Sequence, residues 1–498
     1  ASEAKALLPF MPQIETDKNC LAEYFTFQYS TGESTLFSGV KKLLPAHTLT
    51  IENGKVSVRR YWDVTYHIDF YHAPKYYEER LRELFHDSVE YHLRSDVPVA
   101  SYVSGGVDSS LISLLANEHS GDQFAGLFHG RFTDYPGYDE SNYAQLIADK
   151  IKKPLHIATM TSADFEENIS DIIYYLDWPT AGPGSFPQYM VSQLASQHVK
   201  VVLGGQGGDE IFGGYARYIL AYFEQCIKAA IDGTYKNGEF VVTPESIIPN
   251  LGTLREYKPM MQEFWREGLF GNIDDRYFRL CDRSSDVQQE VDWQALDKKH
   301  VVESFRSIFN NEANTGKQAY FDKMTHYDFK CLLPALLHVE DRVSMAHGLE
   351  TRVPFLDHAL VEFAATIPAD IKFDGGRMKL LLKETFKDLI PQEITNRRDK
   401  MGFPVPLSEW FAGDLNSFVM DIFSSKKSKE RPYVNTQAVM DNLTRSGKFS
   451  RKMWGFLSLE LWYQRFHDQA ASYRAMLNEP VSEKVIPFDA PSKKVKHA

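Results

Sequence analysis

The chain is predicted to be an α/β protein with a doubly wound, mostly parallel sheet, and three observations predict it. Short apolar runs at 97–103, 123–130, 155–159 and 201–205 read as buried strands, and helical periodicities separate them at the spacing of βαβ units. Two of these runs end in glycine-rich loops, after residues 103 and 203, where an open α/β sheet binds ligands beyond the carboxyl ends of its strands. From 217 to 392 the pattern is mainly helical, which predicts a helical lobe over that crevice or packed beside it.

Taken in order, residues 1–75 do not read as a complete domain, and the opening ASEAKALL reads as a helix entering from something upstream. Residues 48–51 and 55–62 flank the turn Glu52-Asn53-Gly54, a hairpin signal. Leu81, Leu84, Phe85, Val89 and Leu93 mark an amphipathic helix over 77–94 that leads into the first sheet strand. Residues 139–150 read as a helix with acidic residues in its first turn. The predicted division is a small β-containing part at 1–75, a nucleotide-binding α/β domain at 76–235, a helical lobe at 236–470 and a tail at 471–498. The polar, proline-containing stretch 482–498 reads as solvated, with no specific role for Lys493, Lys494 or Lys496.

The centre of the chain is VPVASYVSGGVDSSLISLLANE, residues 97–118. Ser104-Gly105-Gly106-Val107-Asp108-Ser109 lies between a strand and a helix, and a helix start offers unpaired N–H groups and the positive end of the helix dipole to an anion. The glycines let the loop approach phosphate closely. A carboxylate at Asp108 would repel phosphate, unless Mg²⁺ lies between them, held as it usually is by one or two carboxylates plus phosphates. A glycine-rich turn capped by Asp and Ser is the plain alternative at this point. No Gly-Lys-Ser/Thr follows, so the loop is not a Walker loop.

Composition narrows the function classes. The 498 residues carry a net charge of −12, which disfavours nucleic acid as a partner. Cys20, Cys226, Cys281 and Cys331 form no CxxC pair and read as reduced thiols of a cytoplasmic protein. There is no 18-residue apolar run, so no membrane partner is expected, and the 16 histidines include no HExxH.

Three further stretches carry chemistry. Leu203-Gly204-Gly205-Gln206-Gly207-Gly208-Asp209-Glu210 through Tyr215 reads alone as a flexible loop; paired with the first loop, its Asp209 supplies a second carboxylate for Mg²⁺. Residues 338–358, HVEDRVSMAHGLETRVPFLDH, alternate charged and apolar positions, as a surface helix with salt bridges also would. Arg397-Arg398-Asp399-Lys400-Met401-Gly402-Phe403-Pro404 is a basic loop of the kind that delivers cations to phosphates.

In this order, SGGVDSS, GGQGGDEIFGGY, VEDRVSMAHGLETRVPFLDH and RRDKMGFPVP closely resemble the synthetase domain of glutamine-dependent asparagine synthetases, ATP-pyrophosphatases of adenine-nucleotide α-hydrolase fold. The resemblance spans residues 1–470. It implies that the stretch up to Trp62 is the closing segment of a glutaminase domain whose nucleophile is an N-terminal cysteine. Here residue 1 is Ala and Cys20 lies in another context, so the chain as given is expected to lack glutamine hydrolysis.

The resemblance further implies that the β-carboxylate of aspartate attacks ATP to form an acyl-adenylate and pyrophosphate. Ammonia, from glutamine in the full-length protein, then displaces AMP. It assigns Ser104, Gly105, Gly106, Asp108 and Ser109 to the pyrophosphate, Asp108 and Asp209 to Mg²⁺, and Lys400 to the developing pyrophosphate charge. Lys379 matches a second basic position, and Tyr102, Gly126, Leu127 and Gly205 match positions that meet the nucleotide. Where many relatives carry Glu, this chain has Gln206, which orients groups but takes no proton at neutral pH; Glu340 then aligns as the candidate base. Amidation of another carboxylate, on an envelope precursor or peptide or within one molecule, is the rival enzyme reading. A non-catalytic nucleotide-binding subunit is the rival of another class, and a homodimer is the oligomer the resemblance suggests.

Overall fold

The computed structural model describes residues 1–232, 258–316, 319–373, 377–397, 402–442 and 451–477. Its first segment, Ala4–Phe10, is a 3-10 helix rather than an α-helix. Pro9 inside it has no N–H to donate, which limits a regular ladder. After α1 (Lys18–Phe27), strands β1 (His47–Glu52) and β2 (Lys55–Arg60) form the predicted hairpin, closed by Asn53 and Gly54, both at positive φ as a tight two-residue turn requires.

Helix α2 (Pro74–His92) leads to β3 (Val99–Tyr102), α3 (Val107–Ser120), β4 (Phe124–Arg131), α4 (Ser141–Ile151), β5 (Leu155–Thr159), α5 (Ser162–Tyr175), α6 (Ser185–Ser196), β6 (Val201–Leu203), α7 (Gly208–Phe212) and α8 (Ala216–Asp232). A seventh strand, β7 (Glu350–Arg352), completes a five-stranded, all-parallel sheet in the order β5-β4-β3-β6-β7. The doubly wound fold is therefore as expected. β7 was hidden in the stretch read as helical, because three residues with Glu and Arg at the ends carry no strand periodicity.

Alternation along the strands explains why both faces are covered. Val99, Leu127, Val201 and Leu203 turn to the α2–α3–α4 side, where Leu111, Ile112 and Leu115 are fully buried, while Ala100, Phe128 and Val202 turn to α6 and pack on Val191 and Ala195. Each of the larger side chains among these contributes about 1.5–3 kcal/mol by leaving water. The helices His358–Ala364 and Leu380–Thr385 pack against α2, and most of the others form a lobe with its own aromatic core around Trp410, Trp454 and Trp462. Buried Asp177 joins the N-terminal segment to this lobe. It accepts from the Ala4 and Lys5 amides at 2.7 and 3.1 Å and from Lys5 Nζ at 2.8 Å, while its own carbonyl accepts from Trp462. The stretch 482–498 lies outside the described residues.

Candidate active site

Beyond the carboxyl end of β3 the chain turns on Gly105, at φ +70°, where a Cβ would stand 2.3 Å from Tyr143 Cβ; only glycine fits. Gly106, extended, starts α3. The hydroxyls close the loop on itself: Ser109 Oγ accepts from the Ser104 amide at 3.1 Å and lies 3.0 Å from Ser104 Oγ. A pair of serines, Ser101 and Ser113, fastens strand to helix with Oγ atoms 2.6 Å apart.

The second glycine-rich loop is pressed against the first. A Cβ on Gly205 would lie 2.9 Å from the Ser109 amide nitrogen, and one on Gly208 would lie 2.6 Å from the Asp108 carboxylate. Gly214 likewise leaves room for Asp209 and Lys379. This run of glycines is thus a close-packed wall rather than a flexible loop, and it brings Asp209 to Asp108.

Lys379, in the left-handed conformation, inserts its ammonium between the two carboxylates, bonding Asp108 and lying 2.5 Å from Asp209. Burial opposes its charge, but the two carboxylates outweigh burial and hold its pKa well above the ordinary lysine range. Next to it, burial and the Asp209 charge push Glu210 up to about 8, and Tyr215 donates to it at 2.5 Å. Among the described residues no group of three or more His, Cys, Asp or Glu side chains is placed to hold a metal ion. Two convergent carboxylates in a cradle that a Cβ would fill are nonetheless the donor set Mg²⁺ takes together with phosphates.

Glu340 forms the other side of the crevice. It is 5% exposed, accepts from Gln188 Nε2 at 3.0 Å and from Gln206 Nε2 at 3.4 Å, and burial raises its pKa to about 7 despite the Gln206 hydrogen bond. A carboxylate poised there can exchange a proton near neutrality. Tyr102, at the end of β3, places its hydroxyl 2.9 Å from Ser192 Oγ; burial, then the nearby Glu340 charge, keeps it protonated.

The structure thus brings together Tyr102, Ser104, Gly105, Gly106, Asp108, Ser109, Gly205, Gln206, Asp209, Glu340 and Lys379. Gly126 and Leu127 stand apart, in the body of β4: Gly126 faces the Pro154 carbonyl, and Leu127 gives its amide to that carbonyl at 3.0 Å and its side chain to the core. The carboxyl end of β4 presents His129 to Arg131 instead, with His129 Nδ1 2.7 Å from the Val103 carbonyl oxygen. Lys400 lies outside the described residues.

Comparison with known proteins bears on this geometry. Residues 80–464 match the family model described as asparagine synthase, and residues 1–62 match the glutamine amidotransferase domain. The chain belongs to the asparagine synthase family. A glutamine-hydrolyzing asparagine synthetase 1 of Bacillus subtilis is 29% identical over 93% of this chain and 71% of its own length. A putative glutamine-hydrolyzing asparagine synthetase of Mycobacterium bovis is 29% identical over 94% and 71%. An amidase, chry2, of Gibberella zeae is 24% identical over 91% and 70%. Membership makes the chain an enzyme of the amide-forming ligase type and implies ATP as its nucleotide.

In this asparagine synthase family chain, the roles of two side chains at the site, Arg397 and Gln188, escaped the reading of the sequence. Arg397 bonds Glu140, donates to the Gly105 carbonyl at 3.2 Å and lies 3.8 Å above the Tyr143 ring, so it braces the phosphate loop from below. Its signal was present as an acidic helix start at Glu140 beside a loop meant for anions. Gln188, in the first turns of α6, donates to Glu340 at 3.0 Å and so ties that helix to the crevice. Within the motif at 338–358, Glu340 reaches the crevice with Thr351 beside it against Gly204, whereas His338 Nε2 lies 2.7 Å from the Leu176 carbonyl oxygen and Arg352 donates to the His92 and Arg94 carbonyls after α2.

Proposed function

We propose that the chain converts aspartate to asparagine through a β-aspartyl-AMP intermediate, releasing AMP and pyrophosphate and using ammonia. The observation that carries the reading is the convergence of Asp108, Asp209 and Lys379 beside a phosphate-type loop, with Glu340 across the crevice.

A carboxylate is a poor electrophile, and attack on the α-phosphorus builds negative charge on the leaving pyrophosphate. The α3 N-terminus, the Ser104 and Ser109 hydroxyls and the Lys379 ammonium are fixed donors aimed at that charge, which is where preorganised electrostatics act most strongly. Lys400, from the basic loop, is proposed to join them. Asp108 and Asp209 would hold Mg²⁺, which supplies Lewis-acid neutralisation of phosphate oxygens when bound. In the second step Glu340 accepts the proton that the attacking amine must lose, and Gln206 and Gln188 hold its carboxylate in place.

Residues 1–75 are proposed as the glutaminase-type part, 76–235 as the nucleotide domain and 236–470 as the lobe completing the synthetase. No helix of the described residues is long and apolar enough to cross a membrane, and the four cysteines are free thiols, in keeping with work in the cytoplasm. The test is pyrophosphate release from ATP and Mg²⁺ with ammonium and aspartate, with asparagine identified as product. Asp108→Ala is expected to abolish release with the fold intact; near-normal release would remove the metal assignment.

A further inference from the structure

The helix Leu332–Met345 carries Glu340 into the crevice, and its opposite face is fastened to the first residues of the chain. Residues 338 and 342 are one turn apart and share a face, while 340 lies about 160° around the helix from each. That second face meets Asp177. His338 Nε2 lies 2.7 Å from the Leu176 carbonyl oxygen and the His338 ring stacks on Trp178 at 4.8 Å, so it grips the residues on both sides of Asp177. Arg342 brings its Nε to 3.9 Å from Asp177 Oδ2, and the same guanidinium donates to the Ser2 carbonyl.

Asp177 has no exposed surface and stands at φ +63°, a backbone state that a residue with a side chain keeps only where its surroundings fix it. Those surroundings are the N-terminal segment. Asp177 accepts from the Ala4 and Lys5 amides and from Lys5 Nζ, and Lys5 is itself buried, its ammonium 5.0 Å from the Tyr174 ring centre. Removing a partner would leave a buried charge uncompensated, so the contact resists opening. The loop that starts at Asp177 runs into α6, whose Gln188 donates to Glu340. The N-terminal segment therefore reaches Glu340 by two routes, through Arg342 and the helix that carries both residues, and through Asp177 and α6.

We propose that Asp177 and Arg342 are positioning residues for the amine step: residues 2–5, within the part that matches the amidotransferase domain, fix the placement of the Glu340 carboxylate through them. The inference rests on the reading of Glu340 as the base. Activation of the acceptor carboxylate is assigned to the other side of the crevice, at Asp108, Asp209 and Lys379, so the two steps can be read separately.

The experiment compares Arg342→Met, Arg342→Lys and Lys5→Met on the full chain, each alone and combined with Glu340→Gln. Asparagine formation from ammonium is expected to fall about 10- to 100-fold in Arg342→Met and about 10-fold in Lys5→Met, with aspartate-dependent ATP–pyrophosphate exchange little changed. Arg342→Lys keeps a charge beside Asp177 and should recover part of the loss. A loss that passes through Glu340 does not add to its own, so Glu340→Gln combined with Arg342→Met should be no slower than Glu340→Gln alone. Equal loss of exchange and amide formation, or additive losses, overturns the positioning role. Melting temperature gives a readout without turnover: burial of Glu340 makes Glu340→Gln raise it at pH 8 and not at pH 5, and that difference should shrink by about half in the Arg342→Met and Lys5→Met backgrounds. An unchanged difference overturns the proposal whatever acid the ligase activates. Full amide formation by Glu340→Gln alone rejects the base, and the melting-temperature difference then decides the positioning role.

Discussion

Glu340→Gln separates what this carboxylate does for catalysis from what it costs the fold. The folded pKa of Glu340 is raised to about 7 from an ordinary 4.5. The folded state therefore prefers the protonated form, and the associated stability is complete below 4.5 and is lost as pH rises through about 7. At pH 8 the ionised side chain, 5% exposed, costs about 3 kcal/mol. A glutamine removes that cost. It keeps one acceptor oxygen for Gln188 and sets an NH₂ against Gln206, losing a long hydrogen bond worth about 1 kcal/mol unless the Gln206 amide flips.

The net expectation is a gain of about 2 kcal/mol at pH 8, or roughly 2 °C in melting temperature for a chain of this length, and no gain at pH 5. Amide formation is expected to fall by about 10²–10⁴, since a proton acceptor is lost, while ATP–pyrophosphate exchange with aspartate persists. Thermal denaturation at the two pH values, beside both assays, checks this. An equal shift at pH 5 and pH 8, or a loss of stability at pH 8, would refute the burial argument; full amide formation would refute the base.

Three further outcomes follow from the same geometry. In the wild type, amide formation should rise with pH to half its plateau near 7 as Glu340 ionises, and a profile flat from pH 6 to 8 would exclude it as the base. Lys379→Met leaves Asp108 and Asp209 facing each other: melting temperature and pyrophosphate release should fall, and millimolar MgCl₂ should recover part of the melting temperature, whereas no response to Mg²⁺ would argue against metal binding by that pair. Gly105→Ala forces a Cβ against Tyr143 at positive φ and should weaken ATP binding at least about 10-fold by titration, while Gly137→Ala, also at positive φ but with open space around it, should leave ATP affinity unchanged and cost about 1 kcal/mol of stability.

Which parts were legible in the sequence follows from how each is encoded. The four strands β3 to β6 announce themselves through short apolar runs between helical stretches, and the phosphate loop through glycines that no side chain can replace. The charged motif at 338–358 is opaque because neighbouring charges go to different places: Glu340 to the crevice, His338 to the loop behind it, Arg352 to a helix end. Spacing along a chain does not say which way a helix faces when half its residues are polar. Arg397 and Gln188 act through contacts with residues remote in sequence, and only the packed chain reveals those.

The bond between Lys379 and Asp108 joins residues 271 positions apart, and Gln206 reaches Glu340 across 134. During synthesis, then, the phosphate loop emerges and its neighbouring strands pair long before its counter-charge exists. β7, which closes the sheet edge, comes from the far side of the helical lobe. Such high contact order implies slow completion, with an unpaired β6 edge exposed meanwhile. A nascent chain stopped just short of residue 379 would hold two unneutralised carboxylates at the end of a completed sheet, so a residue far along the chain decides whether the phosphate loop becomes an enzyme's site.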